Sequence, residues 1–173
     1  MIGNDVIDIA QSRTDSNWQR KGFIERLFTD TEQATINSHD NPEIMIWVLW
    51  SMKEAAYKIY NRETDLRAFI PLRLICSNIT ENKSGFTGRV ECAGKTYFTE
   101  TYFNGKMIHT VALTTKNGFD NIKELPGHKV FKNSKGHPFA YIPGYTLPQP
   151  VSRSHHGKYQ KSVIHPQYKK YTV

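Results

Sequence analysis

The chain has 173 residues, of which 38% are hydrophobic and 12% aromatic, which supports one folded core and excludes wholesale disorder. No apolar run approaches the length of a membrane span, and the N-terminal segment MIGNDVIDIA lacks the pattern of a secretory signal. The formal net charge of +7 favours an anionic partner, such as a nucleic acid, a nucleotide cofactor, an acidic protein or a membrane surface. Because Cys76 and Cys92 match no metal-binding spacing, we expect reduced thiols in a cytoplasmic protein.

The first part of the chain is predicted to form one strand followed by helices. Residues 2–9 alternate loosely between apolar and polar side chains, which predicts a short strand. Residues 16–36 are predicted to be helical, with a break near Thr29, because Thr29 and Glu32 fit a capping box.

Pro42 begins the most distinct predicted helix, which we expect to cover residues 42–60 with Asn41 as its N-cap. Apolar side chains recur along this helix at helical spacing and predict a broad buried face. They are Ile44, Trp47, Val48, Met52, Ala55, Ala56 and Ile59.

The chain after residue 61 is predicted to be rich in strands. These strands are expected at residues 70–79, 86–92, 95–103 and 106–114. Asn104-Gly105 is a strong signal for a two-residue hairpin turn, which predicts antiparallel pairing. Residues 115–138 are predicted to be mostly loop, and the basic, aromatic residues 157–173 are predicted to be a partly ordered tail.

Three charged side chains lie inside the apolar stretch WSMKEAAYKIY of the helix predicted at 42–60. Glu54 and Lys58 are four residues apart and share one helix face, where an ordinary ion pair contributes about 0.3–0.5 kcal/mol. Asp5 lies in the short apolar strand, after a glycine that allows close backbone approach. Two carboxylates from distant segments and a lysine suit magnesium and a polyphosphate, because magnesium binds one or two carboxylates together with substrate phosphates.

The segments IGNDVIDI and WSMKEAAYK resemble, in this order and at this separation, the two signature segments of the 4′-phosphopantetheinyl transferase superfamily. The matching positions are Gly3, Asp5, Trp50, Ser51, Lys53, Glu54, Ala55 and Lys58. Three further segments are similar to family segments: GFIERLFTDTE, KGHPFAYIPG and PVSRSHHGKY. The order of all five segments is that of the small holo-acyl-carrier-protein synthase type.

The resemblance implies an α+β fold in which an antiparallel sheet packs with a long central helix and carries extra inserted β-hairpins. It implies one phosphopantetheinyl transferase domain over residues 1–160, with inserted strands and loop at about 78–128 and a basic tail at 161–173. Small relatives form trimers, but the longer strand block of this chain could cover such a surface. The oligomeric state therefore stays open.

The resemblance also implies a reaction. It is the transfer of the phosphopantetheine arm of coenzyme A to a serine of an apo acyl or peptidyl carrier protein, with release of 3′,5′-ADP. By position, Asp5 and Glu54 would hold Mg²⁺, and Glu54 and Lys58 would be the catalytic residues. The implied coenzyme A contacts are Lys53, Lys58, Ser154 and His155. His137 replaces the lysine of the family's GKP segment, so the cofactor contact at that position is open.

The basic surface suits an acidic carrier protein. Three arginines near the N-terminal helices are candidates for its docking face: Arg13, Arg20 and Arg26. Whether the carrier serves fatty acid, polyketide or peptide synthesis stays open. Two rival hypotheses are a basic module that binds nucleic acid or another polyanion without catalysis, and an inactive relative that binds coenzyme A. Paired motifs on separate elements favour the enzyme, and we expect neither a membrane nor a nucleic acid as its partner.

Overall fold

The computed structural model of the protein describes residues 1–166, which form an α+β fold with a large antiparallel sheet. The helices are α1 (Ile9–Asp15), α2 (Phe23–Leu27), α3 (Asp30–Ser38) and α4 (Pro42–Thr64). The strands are β1 (Ile2–Asp8), β2 (Ile75–Asn82), β3 (Gly85–Cys92), β4 (Lys95–Phe103), β5 (Met107–Leu113), β6 (Lys123–Glu124), β7 (Val130–Lys132), β8 (Pro138–Ala140), β9 (Gln149–Pro150), β10 (Ser152–His156) and β11 (Tyr159–Ile164). Short 3₁₀ turns lie at Pro71–Arg73 and Phe119–Asn121. The predicted fold class is confirmed.

The main sheet has five antiparallel strands in the order β1-β5-β4-β3-β2 among the described residues. Helix α4 packs across this sheet, and its buried side chains form the centre of the largest hydrophobic core. The strand-rich block that we expected as an insertion, at about 78–128, supplies most of this sheet, and whether it is inserted relative to the family stays a prediction.

A second sheet, β10-β11-β6, lies against the outer side of β1 without backbone pairing to it, and polar side chains make the connection. The backbone N–H of Asn4 donates to the hydroxyl of Ser152 at 2.8 Å, and the N–H of Asp8 donates to Nδ1 of His156 at 2.9 Å. The β10–β11 hairpin is therefore fixed to the strand that carries Asp5. A third small sheet, β7-β8-β9, lies next to β10.

The local signals for the helix starts are confirmed. Thr29 and Glu32 form the capping box at the start of α3, and the side chain of Asn41 caps α4 with Pro42 in its first turn. Helix α4 continues beyond residue 60 to Thr64. It ends at Asp65, whose backbone takes the left-handed conformation with a φ of 57°.

The prediction of one helical region at 16–36 is wrong at its start. Residues 16–22 are not helical, and a helix that the sequence did not reveal, α1, follows β1 directly. The carboxylate of Asp8 begins that helix by accepting hydrogen bonds from the N–H groups of Ala10 and Gln11. An acidic residue that looked like part of the strand is thus the N-cap of the next element.

The predicted strands are confirmed for β3, β4 and β5, including the turn at Asn104-Gly105, where Gly105 has a φ of 81°. The strand predicted at 70–79 begins later, at Ile75, because Pro71–Arg73 form a 3₁₀ turn. Residues 159–164 form β11, although we expected part of them in a tail, and residues 167–173 of that tail lie outside the described residues. Within residues 1–166, no helix combines the length and the apolarity that a membrane span requires.

Candidate active site

Gly3 determines how closely β1 approaches α4. A Cβ atom at this position would lie 2.0 Å from the carbonyl oxygen of Ala55, so only glycine permits this contact between strand and helix. Side chains alternate along a strand, so Asp5 projects from the same side of β1 as Gly3. The close contact therefore places Asp5 beside the part of α4 that carries Glu54 and Lys58.

Asp5 and Lys58 are in direct contact. Nζ of Lys58 lies 3.3 Å from Oδ1 of Asp5 and donates a hydrogen bond of 2.5 Å to the carbonyl oxygen of Asn4. The side chain of Asp5 is 15% exposed and that of Lys58 is 31% exposed, so the pair is partly screened from water while its Lys58 end stays accessible. A lysine held by strand β1 in this way presents its charge at a fixed place.

Glu54 completes the cluster one helical turn before Lys58. Burial, together with the smaller effect of the neighbouring charge of Asp5, raises the pKa of Glu54 from 4.5 to about 7, and Lys58 opposes the rise in part. A carboxyl group with this pKa is protonated in about half of the molecules at neutral pH. Its environment disfavours a second negative charge next to Asp5.

The donor set of this cluster fits a hard divalent cation. Two carboxylates share the charge of one lysine, and a cation between them would relieve the repulsion that raises the pKa of Glu54. Among residues 1–166 there is no group of three or more His, Cys, Asp or Glu side chains that could hold a metal. Two carboxylates are a donor set that a hard divalent cation such as Mg²⁺ can use, because such a cation keeps waters and takes further oxygens from substrate phosphates.

A cleft of about 440 Å³ lies next to the cluster, with Lys58 in its wall. Basic side chains line it from α4, from β7 with the following turn, and from β10. They are Lys58, Arg62, Lys132, His137, Arg153 and His155. No Asp or Glu side chain is among its lining residues in the described chain. This concentration of basic side chains is complementary to an anionic ligand.

The residues near the C-terminus divide between the cleft and the protein interior. His155 lines the cleft, and its contact with coenzyme A stays a prediction. Ser154 is buried and its hydroxyl accepts a hydrogen bond of 2.9 Å from the side-chain amide of Asn4, on the face of β10 that packs against β1. The position of Ser154 thus does not support the cofactor contact expected for it.

His137 does line the cleft, at the position where the family's segment has a lysine. Its Nε2 lies 3.9 Å from the carboxylate of Asp65. Burial and the nearby charge of Arg62 nevertheless lower the pKa of His137, so its ring carries little charge at neutral pH.

The side chain of Lys53 lies in the protein interior and does not line the cleft. Its ammonium is buried, with a side chain that is 1% exposed, and all three of its donor hydrogens have partners in the protein interior. It donates to the carboxylate of Glu32 at 2.8 Å and to the carbonyl oxygens of Leu27 and Pro71 at 2.9 and 2.8 Å. A phosphate could not reach it without breaking this network. The cofactor role that the resemblance implied for Lys53 is corrected to a structural one, which joins α3 and α4 to the segment before β2.

The three arginines expected at a docking face differ in their surroundings. Arg13 makes two hydrogen bonds of 2.8 Å to Glu43 at the start of α4. Arg20 lies over the ring of Phe23 at 5.9 Å. Arg26 is exposed on α2 and makes no ion pair with any of the described residues. Arg20 and Arg26 are therefore the two of the three that are exposed and make no ion pair with the described residues.

Three basic residues of the cleft were missed by sequence reasoning. Arg62 follows Lys58 by four residues, so the helical spacing could have placed it on the same face. Arg153 lies two residues before His155 on β10. Because side chains alternate along a strand, these two side chains share one face, and this spacing could have identified Arg153. Lys132 comes from a segment that was predicted to be loop, and no sequence signal pointed to it.

A comparison with protein-family models identifies the family of this chain. The family model described as 4′-phosphopantetheinyl transferase superfamily matches residues 1–114, which is more than half of the chain. A search of curated proteins found no match. The matched region contains Asp5, Glu54 and Lys58, whereas the hairpin that carries His155 lies beyond it. The chain belongs to the 4′-phosphopantetheinyl transferase superfamily.

Proposed function

We propose that the protein transfers the 4′-phosphopantetheine arm of coenzyme A to a serine hydroxyl of an apo acyl or peptidyl carrier protein, with Mg²⁺, and releases 3′,5′-ADP. One observation carries the proposal: a cluster of two carboxylates and a lysine adjoins a cleft lined by six basic residues. Membership of the superfamily supports the reaction class.

The cleft suits coenzyme A in size and charge. Its volume of about 440 Å³ lies within the roughly 300–1,000 Å³ typical of small-molecule sites. Coenzyme A carries a pyrophosphate and a 3′-phosphate, and Arg153, His155 and Lys132 line the cleft where such phosphates would bind. The absence of acidic side chains from the described lining favours a polyanion over a neutral ligand.

The chemical step follows from the positions of three side chains. Asp5 and Glu54 would hold Mg²⁺, which neutralises charge on the pyrophosphate when it is bound. The serine oxygen of the carrier forms a bond to the phosphorus of the arm, and the bond from this phosphorus to the oxygen of the departing 3′,5′-ADP breaks. The serine proton is released to solvent or to the phosphate of the departing 3′,5′-ADP, and Lys58 contacts the phosphate in transfer as an ammonium and stabilises its charge. Because its ammonium is already held by Asp5 and the Asn4 carbonyl, little reorganisation is needed.

A mass-spectrometric assay tests the proposal. The protein is incubated with coenzyme A, Mg²⁺ and apo carrier proteins of the fatty acid, polyketide and peptide types, and each carrier is examined for the added arm. We expect the arm on at least one carrier, no addition by Glu54→Gln, and unchanged addition by the exposed control Glu25→Gln. If no carrier is modified while coenzyme A binds, the protein is an inactive relative. Salt-sensitive RNA binding without coenzyme A binding would support the polyanion-binding module instead.

A further inference from the structure

Asn4 lies on β1 between Gly3 and Asp5, and its side chain projects from the opposite face of the strand. Gly3 and Asp5 face α4, whereas the face that carries Asn4 packs against β10 and β11. The residue is completely buried, with 0% of its surface exposed. Asn4 therefore lies between the catalytic cluster and the hairpin that carries His155.

The backbone of Asn4 belongs to the free edge of β1. This strand is at the edge of the main sheet, and the N–H and C=O of one residue in an antiparallel strand point to the same side. The N–H of Asn4 donates to the hydroxyl of Ser152 at 2.8 Å, and its C=O accepts from Nζ of Lys58 at 2.5 Å. Ser152 and Lys58 both line the cleft. One residue of β1 thus holds both α4 and β10 at the same part of the cleft wall.

The side-chain amide of Asn4 fixes the hairpin formed by β10 and β11. Its Nδ2 donates to the hydroxyl of Ser154 at 2.9 Å and lies 3.4 Å from the carbonyl oxygen of Lys161. Ser154 and Lys161 are paired with each other across the hairpin. Because side chains alternate along β10, a hairpin that is held through Ser154 turns Arg153 and His155 toward the cleft.

His109 of β5 is the third neighbour of this amide, with its Nε2 3.2 Å from Nδ2 of Asn4. Burial lowers the pKa of His109 from 6.5 to about 4, and the charge of Lys161 adds a smaller effect in the same direction. The ring is therefore neutral at neutral pH, and its Nε2 accepts the second hydrogen of the amide when the ring hydrogen is on Nδ1. The amide of Asn4 thus joins β5, β10 and β11.

The side-chain oxygen of Asn4 indicates a role beyond stability. This Oδ1 atom is buried and has no hydrogen-bond partner in the part of the chain that the structure describes. A buried acceptor without a partner is unfavourable for folding. Proteins retain unfavourable features of this kind chiefly where a residue serves the function.

We propose that Asn4 is a positioning residue that aligns phosphates bound by Arg153 and His155 with the ammonium of Lys58. Its backbone holds Lys58, and its side chain holds the strand that presents the two other basic residues. This proposal rests on the proposed function, because it names how two parts of one coenzyme A site keep their distance. A misplacement of about 1 Å between reacting groups can cost about a hundredfold in rate, so the loss of this alignment is measurable.

Calorimetric titration with coenzyme A and Mg²⁺ tests the alignment without requiring turnover. We compare the wild-type protein, Asn4→Ala, Lys58→Met and the double variant. In the wild-type background, Lys58→Met should raise the Kd for coenzyme A about tenfold, because a charged hydrogen bond to a phosphate is lost. In the Asn4→Ala background the phosphates no longer meet the ammonium, so the same substitution should change the Kd by less than about threefold.

Tyr97→Phe is the matched control. It removes the hydrogen bond of another buried side chain, which the hydroxyl of Tyr97 donates to Glu63, and it touches neither Lys58 nor β10. Combined with Lys58→Met, it should leave the full effect of Lys58→Met in place. Ser154→Ala removes the hydroxyl that accepts from the Asn4 amide and should reproduce the loss of coupling. Circular dichroism checks that each variant is folded, and Ser154→Ala decides the question if Asn4→Ala does not fold.

The outcomes separate this proposal from the proposed function. If the arm is transferred and Lys58→Met has the same effect on the Kd with and without Asn4→Ala, the positioning proposal is overturned and the function stands. If the two substitutions are coupled in the Kd but no carrier receives the arm, the positioning proposal stands and the function fails. A wild-type protein that does not bind coenzyme A overturns the positioning proposal. Where transfer occurs, Asn4→Ala should also lower kcat per coenzyme A binding site by about tenfold or more, with an unchanged KM for the carrier.

Discussion

Replacing Glu54 by glutamine is expected to stabilise the metal-free protein while it abolishes transfer. The ionised carboxylate of Glu54 is unfavourable in the folded state because it is buried next to Asp5. Glutamine keeps nearly the same shape and cannot ionise. The substitution therefore removes a cost to folding. It also removes the carboxylate charge that would hold the divalent cation.

The size of this gain follows from the shift in pKa. A rise from 4.5 to about 7 corresponds to at most about 3.5 kcal/mol, at roughly 1.4 kcal/mol for each tenfold change in the ionisation constant. The sign follows from linkage: between these two pKa values the folded state binds more protons than the unfolded state, so raising the pH destabilises the wild-type protein. The gain of Glu54→Gln is thus close to zero near pH 4.5 and complete at about pH 8 and above.

Thermal unfolding at several pH values, with a chelator present, measures this effect. For a chain of this length about 2–4 °C in Tm corresponds to 1 kcal/mol, so we expect Glu54→Gln to raise Tm by up to about 7–14 °C at pH 8. The control Glu25→Gln alters an exposed carboxylate and should leave Tm unchanged. A Tm gain that is the same at pH 5 and pH 8, or no gain at pH 8, would refute the argument that Glu54 is strained by its charge.

Three further substitutions test other contacts. Gly3→Ala should lower the free energy of unfolding by about 2 kcal/mol or more, because the added Cβ meets a carbonyl of α4. Urea unfolding measures this loss, and an unchanged urea midpoint would show that β1 can move away from α4. Lys53→Met should cost about 3–5 kcal/mol because it leaves Glu32 charged and buried, and the double variant with Glu32→Gln should recover part of this loss. Equal free energies of unfolding for the single and the double variant would argue against a stabilising interaction between Lys53 and Glu32. Arg153→Ala should weaken coenzyme A binding about tenfold by calorimetry, whereas the exposed Lys83→Ala should leave it unchanged, and equal effects would indicate non-specific attraction.

The parts of the fold that depend on neighbouring residues were predictable. Asn41 and Pro42 mark the start of α4, and the Asn104-Gly105 turn joins β4 to β5, because each signal acts within a few residues. Asp8 was not predictable in the same way. It caps α1 only because β1 ends there, and the end of β1 is determined by its pairing with β5.

The candidate site was predictable where a helix or a tight contact defined it, and less so where distant strands meet. Gly3, Glu54 and Lys58 take their positions from the closeness of β1 to the central helix. For Ser154 and His155 the sequence shows alternation but not which face meets the cleft. That choice depends on the hydrogen bonds of Asn4 to β10, about 150 residues along the chain. Lys132 enters the cleft through the pairing of β7 with β8, which the sequence did not predict.

The two lysines of the KEAxxK segment have opposite roles because of helical geometry. At about 100° per residue, Glu54 and Lys58 differ by only about 40° around α4, whereas Lys53 and Lys58 differ by about 140°. Lys53 therefore enters the core, where Glu32 already balances its charge. The site keeps two carboxylates and one ammonium, a formal charge of −1 when Glu54 is ionised. A second lysine in the site would have neutralised this charge. Because Lys53 is buried elsewhere, the site keeps a negative excess that a divalent cation can relieve. Within it, the burial of Glu54 and, to a smaller extent, the charge of Asp5 raise the pKa of Glu54.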